Sequence, residues 1–174
     1  MFISERANVQ TRLLARAAIV FDQTVIGDNI IVDPCVILGY PTRDSIRKIK
    51  NNVLYAPTLK LLDHASREYH IRSGIVIYKS TVISDNVETG HSVLIREHIS
   101  IGNNAVLGAQ TVIEGYVIKM GNNVRIKSGV FIPIYTVLDN NVFLGPYTVV
   151  TNDNYPNSKR MERVVIGDSV VIGG

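Results

Sequence analysis

Apolar residues recur every six positions through the centre of this chain. The step of six runs unbroken from Ile71 to Ile113, and after one extra residue it resumes from Met120 to Val150. Thirteen of these fourteen positions are aliphatic or Met, and the exception is Thr89. The members of this first set are Ile71, Ile77, Ile83, Thr89, Ile95, Ile101, Leu107, Ile113, Met120, Ile126, Ile132, Leu138, Leu144 and Val150.

A second set lies four residues after the members of the first. It contains only β-branched or small residues, and none of them is charged. Its members are Ile75, Thr81, Val87, Val93, Ile99, Ala105, Thr111, Val117, Val124, Val130, Thr136, Val142 and Thr148. Residues two apart on a strand share a face, so each unit directs one residue of each set inward. Gly, Asn and Asp are frequent between such pairs, where they tolerate the positive φ of a corner.

Short strands that turn through equal corners predict a solenoid in which each coil pairs with the coils above and below it. An α-helix requires apolar spacing near 3.6 residues, and this density of Gly, Asn and Pro would break it. We therefore predict an all-β chain, a triangular solenoid of hexapeptide repeats that forms a parallel β-helix with two loop excursions.

The repeat also divides the chain. We expect residues 1–174 to be one domain, with 1–12 as an N-terminal cap and earlier repeats at Leu14, Val20, Ile26, Val32 and Leu38. Residues 40–70 are an inserted loop, in which 58–63 is a short strand or a helical turn, and 151–165 are a second loop. The repeat returns at Ile166 and stops within a corner at Gly174, so we expect a truncated C-terminus or a last coil covered by a partner.

Composition narrows the functional classes. The 174 residues carry a net charge of +3, without a Lys/Arg run interleaved with aromatics, which disfavours nucleic-acid binding and suits a small anionic ligand. Cys35 is the only cysteine, so no intramolecular disulfide or zinc–cysteine cluster is expected, and we interpret it as a small core residue. Charged residues interrupt the first 20 positions and no membrane-length apolar run follows, so cytoplasmic residence without membrane partners is expected.

The pattern resembles the left-handed parallel β-helix of hexapeptide-repeat acyltransferases, and the left-handedness is taken from this resemblance. In that family the helices associate as trimers, coenzyme A lies in the groove between neighbours, and facing subunits supply catalytic groups. The resemblance therefore implies acetyl-CoA as co-substrate, no metal, and a homotrimer. The single extra residue near Glu114–Tyr116 is interpreted as a tolerated bulge.

The run Gly90-His91-Ser92 is similar to the Gly-His segment of hexapeptide acetyltransferases that use a corner histidine as base. Acyl transfer to an amine requires proton removal, and neutral imidazole has a pKa near working pH. We predict His91 as the catalytic base, against the alternative of an ordinary exposed corner histidine. Glu97 is a weak candidate for orienting the imidazole.

Two further segments carry binding predictions. Gly145-Pro146-Tyr147 with Thr151-Asn152-Asp153-Asn154-Tyr155-Pro156 closely resembles a segment of acetyltransferases that act on nucleotide-linked amino sugars. The resemblance implies that Asn152, Asp153 and Tyr155 bind substrate. Lys159 and Arg160 on this loop form a basic cluster with Arg43 on the other loop, which suits the phosphates of coenzyme A or a nucleotide. We expect Arg43 to bind substrate and Lys159, Arg160 and Gly173 to bind coenzyme A. A solvated charged loop is the alternative for each basic residue. The chain has Ser128-Gly129 where some of these enzymes have Asn, which disfavours transfer of their mechanism unchanged.

We therefore predict an acetyl-CoA-dependent N-acetyltransferase that acts on an amino sugar, favouring a nucleotide-linked one, for surface polysaccharide or glycan biosynthesis. One alternative is a non-catalytic β-helix that serves as a scaffold or oligomerisation module, because a fold alone does not give chemistry. Another is a γ-carbonic-anhydrase-like metal enzyme, which requires three zinc-binding histidines. The four histidines, His64, His70, His91 and His98, do not reproduce that spacing.

Overall fold

The structure is a computed structural model that describes residues 1–11, 14–27, 29–50, 59–61, 69–155 and 161–174. Short parallel strands dominate these residues. In chain order the elements are β1 (Phe2–Ile3), β2 (Asn8–Val9), β3 (Ile19–Val20), β4 (Thr24–Ile26), β5 (Ile30–Val32), β6 (Ile37–Tyr40), α1 (Arg43–Lys50), β7 (Leu59–Leu61), β8 (Tyr69–Ile71), β9 (Val76–Tyr78), β10 (Val82–Ile83), β11 (Glu88–Thr89), β12 (Leu94–Ile95), β13 (Ile99–Ile101), β14 (Val106–Leu107), β15 (Val112–Ile113), β16 (Ile118–Met120), β17 (Arg125–Ile126), β18 (Phe131–Ile132), β19 (Thr136–Leu138), β20 (Phe143–Leu144), β21 (Val164–Ile166) and β22 (Val171–Ile172).

Every third strand joins the same sheet, so the strands form three faces of a prism. Face 1 has the order β1-β3-β6-β9-β12-β15-β18, and Val149 extends it by a bridge to Phe131. Face 2 has the order β2-β4-β7-β10-β13-β16-β19-β21. Face 3 consists of β5-β8 followed by β11-β14-β17-β20-β22. The predicted left-handed parallel β-helix of hexapeptide repeats is confirmed.

Three lines of corners join the faces, and each line is named here by the faces that it connects. Corner 1–2 leaves face 1 and enters face 2, corner 2–3 leads on to face 3, and corner 3–1 starts the next coil. Equivalent corner residues stack along the prism, because their backbone N–H groups bond to the carbonyls of the neighbouring coil; His98 N, for example, donates to Ser80 O at 3.1 Å. A side chain at a corner therefore lies beside its counterparts one coil away.

The core is formed by the two apolar sets of the repeat. All fourteen residues of the first set are buried, as is the second set with one exception, Val117, whose side chain is 53% exposed. Ile118 takes the inward position in its place and is 1% exposed. The buried threonines satisfy corner carbonyls: Thr136 Oγ1 donates to Pro133 O at 2.8 Å and Thr148 Oγ1 to Gly145 O at 2.8 Å. Threonine can therefore occupy this inward position as well as valine.

The extra residue of the repeat lies in corner 1–2, so its interpretation as a strand bulge is wrong. Tyr116 and Val117 both have positive φ (67° and 59°), and both side chains are exposed. The strands on either side keep their register with neighbouring coils. The corner absorbs the insertion because its outward residues have no inward packing to preserve.

The segment predicted as one long insertion, 40–70, contains parts of a regular coil. Leu59–Leu61 is strand β7 of face 2, with Leu59 and Leu61 buried and Lys60 exposed, and Tyr69–Ile71 is strand β8 of face 3. The charged part forms helix α1, which Thr42 caps by accepting a hydrogen bond from Ser45 N at 3.1 Å. The division of the chain into one domain, a cap, two loops and a truncated end otherwise stays a prediction.

Cys35 is not a core residue. It lies exposed at corner 3–1 with φ 61°, and the next residue, Val36, takes the inward position instead. The sequence interpretation was wrong by one residue, because the inward and outward positions of a strand alternate.

Corner 2–3 is built for stability by two columns of asparagine. In one column Asn86 donates to Asn104, which donates to Asn123, which donates to Asn141, with Nδ2–Oδ1 distances of 2.8–3.1 Å. In the other column each side-chain oxygen accepts from a backbone N–H one coil below; this column consists of Asn103, Asn122, Asn140 and Asp168. These side chains hydrogen-bond to the neighbouring coils, so fewer of their polar groups remain to bind a ligand at this corner.

Glycine begins several corners because the coils approach each other closely there. A Cβ on Gly102 would lie 2.5 Å from the backbone oxygen of Gly121 in the next coil. We predict that Gly102→Ala destabilises the protein by ~1–3 kcal/mol, the cost typical of overpacking.

The matched control is Gly167→Ala, at the same corner of the last coil, where a Cβ would meet nothing within 4 Å. Its effect on the free energy of unfolding, measured by urea denaturation, is expected to stay within about 0.5 kcal/mol of zero. Equal losses in the two variants would contradict the close approach of the coils at Gly102.

Candidate functional site

His91 lies on corner 3–1, between β11 and β12, and its side chain is exposed. Its Nδ1 is 2.9 Å from the hydroxyl oxygen of Ser73, which occupies the same corner one coil below. When Nδ1 carries the proton and donates to Ser73, the lone pair on Nε2 remains available as a base. Glu97 does not orient this imidazole: it lies in corner 1–2 and pairs with Arg96.

Thr89, the one polar member of the first apolar set, interrupts face 3 two residues before His91. Its Oγ1 accepts a hydrogen bond from Arg72 N at 3.1 Å and donates to His70 O at 3.1 Å. The hydroxyl thus replaces a backbone ladder between β8 and β11, and face 3 is divided into two sheets at this point. The departure from the repeat at Thr89 is therefore a change in sheet pairing.

A small polar cavity of about 200 Å³ lies at this division and is lined by His70, Arg72, Glu88 and Thr89. Next to it, His70 Nε2 is 2.6 Å from Asp33 Oδ1. This hydrogen bond lowers the pKa of the Asp33 carboxyl. The imidazole of His70 is thereby held by Asp33, whereas that of His91 contacts a neutral hydroxyl.

Three departures from the repeat leave from corner 1–2. Helix α1 follows face-1 strand β6, the extra residue at 115–117 follows β15, and the second loop follows Val149. In that loop Asn152 Nδ2 donates to Ile134 O at 2.9 Å, and Asp153 Oδ1 accepts from Tyr155 N at 3.0 Å. The side chain of Tyr155 is 83% exposed. Corner 1–2 therefore carries segments that are not part of the stacked coils.

A polar cleft at this edge lies between α1 and the corners of three successive coils. Its volume is about 360 Å³, within the range of small-ligand pockets. Its lining residues come from α1 and its cap, from one corner residue of β9–β10, from the β12–β13 corner and from the β15–β16 corner. They are Thr42, Arg43, Asp44, Arg47, Ser80, Arg96, Glu97, His98 and Tyr116.

Arg96 is held rigidly in this cleft. Its Nε and Nη2 donate to the two carboxylate oxygens of Glu97 at 3.3 and 3.1 Å, and its Cζ lies 5.7 Å from the ring centroid of Tyr78. Glu97 is only 5% exposed. Burial raises the pKa of the Tyr78 phenol, so the ring remains neutral beneath the guanidinium. A guanidinium has five N–H donors, so three remain after the pairing with Glu97.

Sequence reasoning missed His98 and Tyr116. Their rings are stacked one coil apart, with centroids 5.6 Å apart and planes inclined by 44°. Both residues have positive φ (60° and 67°), as the corner position requires. The available signal was the six-residue step itself: Ser80, His98 and Tyr116 follow one another at intervals of three units.

The predicted site residues do not converge within one chain. His91 lies on corner 3–1, and Arg43, Asn152, Asp153 and Tyr155 lie along corner 1–2; face 1 separates the two edges. Gly173 is on the same edge as His91 but four strand spacings higher, ~19 Å along the prism. Lys159 and Arg160 lie outside the described residues.

The described residues contain no group of three or more His, Cys, Asp or Glu side chains placed to hold a metal ion; His64 lies outside them. The described part of the chain also contains no helix with the length and apolar character needed to cross a bilayer.

Comparison with known proteins supports the repeat. Residues 80–115 match the family described as bacterial transferase hexapeptide (six repeats). No curated protein sequence matches the chain. With three faces of stacked hexapeptide coils and this match, the chain is a hexapeptide-repeat protein with the left-handed parallel β-helix fold.

Solved structures share this fold at low sequence identity. The UDP-N-acetylglucosamine O-acyltransferase of Moraxella catarrhalis RH4 aligns with 100% of this chain and 72% of its own, at 16% identity and a TM-score of 0.61. The UDP-N-acetylglucosamine acyltransferase of Francisella novicida aligns with 98% of this chain and 62% of its own, at 18% identity and a TM-score of 0.52. At this identity the likeness shows the fold.

Thr89 offers a test of how this region is held together. We predict that Thr89→Val, which keeps the volume but removes the hydroxyl, lowers the free energy of unfolding by ~1–3 kcal/mol, because Arg72 N and His70 O each lose a partner. Thr89→Ser keeps the hydroxyl and loses one methyl group, worth ~1 kcal/mol. Urea denaturation of both variants measures the difference, and a Val variant as stable as wild type would contradict the bridging role.

Proposed function

We propose that this protein is an acetyl-CoA-dependent N-acetyltransferase whose acceptor is a nucleotide-linked amino sugar of the kind used to build surface polysaccharides or other glycans. The observation that carries the proposal is the match of residues 80–115 to the bacterial transferase hexapeptide repeat, because these residues include the His91 corner. The structural neighbours are acyltransferases named for UDP-N-acetylglucosamine, and they add weight to acyl transfer and to a sugar nucleotide.

The chemistry assigned to His91 is proton removal from the acceptor. Nε2 takes a proton from the ammonium form of the amine, and the free lone pair attacks the thioester carbonyl carbon of acetyl-CoA. The tetrahedral intermediate then collapses with cleavage of the C–S bond, and the leaving sulfur takes the second proton from the nitrogen, which gives the amide and the thiol of coenzyme A. Ser73 Oγ can accept a hydrogen bond from a protonated Nδ1, and in that tautomer Nε2 is the basic nitrogen. The reaction passes through no covalent enzyme intermediate.

The acceptor is assigned to the opposite edge of face 1, where Arg43, Asn152, Asp153 and Tyr155 lie. Asp153 and Asn152 offer a carboxylate and an amide to sugar hydroxyls or to the amine, and Tyr155 is open to solvent. Coenzyme A is assigned to the edge above His91. Gly173 follows strand β22 on that edge and is proposed to contact coenzyme A. Lys159 and Arg160 are proposed to contact its phosphates.

This division of labour requires that a second subunit bring the two edges together. The outward residues of face 1 form one unbroken apolar column through all eight coils: Phe2, Ile19, Ile37, Val76, Leu94, Val112, Phe131 and Val149. The outward columns of the other two faces are interrupted by polar residues such as Ser100 and Arg125. We assign face 1 to the contact in a homotrimer, in which corner 3–1 of one subunit faces corner 1–2 of the next.

A second candidate for the base is His98, which is favoured by one observation: it lines the polar cleft, whereas His91 lies on an open corner. Cytoplasmic residence stays a prediction.

The assignment of the base is tested by His91→Asn. We predict that kcat falls by about 10²–10⁴-fold, the usual contribution of a general base, while the unfolding midpoint stays unchanged because the side chain is exposed. Release of the coenzyme A thiol is followed with acetyl-CoA and a panel of UDP- and dTDP-linked amino sugars.

The comparison variant is His98→Asn, which removes the other corner imidazole and is expected to raise KM while leaving kcat nearly intact. The reverse result, with kcat lost in His98→Asn and kept in His91→Asn, would transfer the base to the cleft. Absence of thiol release with every acceptor in wild-type protein would favour the non-catalytic scaffold.

The trimer contact is tested by Leu94→Glu on face 1. We predict that a charge buried in the apolar column dissociates the assembly, so that sedimentation velocity shows the 19.2 kDa chain in place of a species three times that mass. The control is Ser100→Glu, at an exposed outward position of face 2 in the same coil, which should sediment as wild type. Wild-type protein that sediments as a monomer would contradict the assignment.

A further inference from the structure

The cleft beside α1 has a chemistry that the corners of a β-helix do not need. At corner 2–3 the stacked side chains are amides that bond to one another. At the same corner position on corner 1–2 the chain instead places Ser80, His98 and Tyr116, a hydroxyl, an imidazole and a phenol, and these line a cleft. Donors and planar rings here are therefore available to a ligand.

Three arginines from two parts of the fold line the cleft. Arg43 and Arg47 project from α1, and Arg96 comes from the corner between β12 and β13. Two carboxylates, Asp44 and Glu97, face them, so the cleft retains a net positive charge. Guanidinium groups match phosphate oxygens in pairs, which makes a phosphorylated ligand the best-suited anion.

The cationic groups are also held in position before any ligand arrives. Glu97 and the Tyr78 ring hold Arg96, and Asp44 Oδ1 lies 3.7 Å from Arg47 Nη1 on the same helix. Pre-positioned donors lose less side-chain freedom on binding, so more of their interaction energy appears as affinity. Arg96 in particular cannot turn away from the cleft without breaking its contacts with Glu97.

The ring of Tyr116 supplies a flat surface beside these charges. The phenol packs against His98 on one side and is 47% exposed overall. The conformation that presents it is costly: Val117, which follows, is β-branched and has φ 59°. Strain at a residue next to a polar cleft, where a regular corner would avoid it, indicates that the position of Tyr116 is used.

From these observations we infer that the α1 cleft binds the nucleoside phosphate part of a ligand, with the phosphates on Arg43, Arg47 and Arg96 and the base on Tyr116. This inference rests on the proposed function for the choice of ligand. Both the sugar nucleotide and coenzyme A carry phosphates and a planar base, so either substrate provides this chemistry. UDP represents the first source and adenosine 3′,5′-bisphosphate the second.

The test is calorimetric titration of the full chain with UDP, adenosine 3′,5′-bisphosphate, inorganic pyrophosphate and uridine. One of the two nucleotides is expected to bind, and the double variant Arg43→Ala/Arg47→Ala is expected to weaken it at least tenfold. Tyr116→Ala should weaken the nucleotide by several fold and leave pyrophosphate binding unchanged. Both arginines are exposed, so the fold is expected to survive, and far-UV circular dichroism checks this.

The matched control removes two exposed cations elsewhere, as Arg16→Ala/Lys60→Ala, and should change affinity less than twofold. An equal loss in the control would mean that net charge alone attracts the nucleotide, and it would overturn the site. Absence of binding by either nucleotide at millimolar concentration would overturn it as well.

These results are independent of acyl transfer. Arginine-dependent binding of UDP without thiol release would retain the cleft and reject the proposed activity. If the Arg43/Arg47 variant instead releases thiol as wild type does, with no change in KM for either substrate, the proposed activity is retained and the cleft is rejected as a nucleotide site.

Discussion

Stacking of identical backbone positions is the constraint on which this molecule depends. Each short strand in the regular coils hydrogen-bonds to the equivalent strands one coil above and below, so a residue there lies over its counterpart about eighteen residues away in the chain. The backbone therefore allows no drift: a Cβ at Gly102 would collide with the next coil. Two inward side chains per unit fill the interior of the prism. The six-residue spacing of apolar residues in the sequence results from this packing.

The same constraint decides where variation is permitted. An insertion inside a strand would turn its inward residues outward, whereas an insertion at a corner leaves both neighbouring strands in register. This is why helix α1, the extra residue beside Tyr116 and the second loop all leave from corners, and why all three leave from corner 1–2. Corner 2–3, by contrast, is occupied by asparagine columns that hold the coils together. Corner 2–3 thus carries side chains that bond neighbouring coils together, whereas corner 1–2 carries inserted segments.

The proposed acyl-transfer site is shared between two edges of the prism. The exposed imidazole of His91 and the loop residues Asn152 and Asp153 lie on opposite sides of face 1, and the rigid core between them cannot bend to bring them together. The apolar outward column of face 1 lies between the two edges, from Phe2 to Val149. Chemistry that uses both edges therefore requires a neighbouring subunit. Such catalysis would depend on oligomerisation.

The sequence by itself determined the fold, because the six-residue step marks the inward positions and the corners directly; Leu138-Asp139-Asn140-Asn141 reads as a corner without any coordinates. It also marked Thr89 as an exception and His91 as an exposed corner residue. Only the tertiary structure decided that Cys35 faces solvent, that Leu59–Leu61 belongs to the coil, and that Arg43, Arg96 and Tyr116 enclose one cleft. The physical reason is that a periodic pattern fixes which way a side chain points within its own unit, whereas the partners it meets are set by stacking between coils and by where an inserted segment returns.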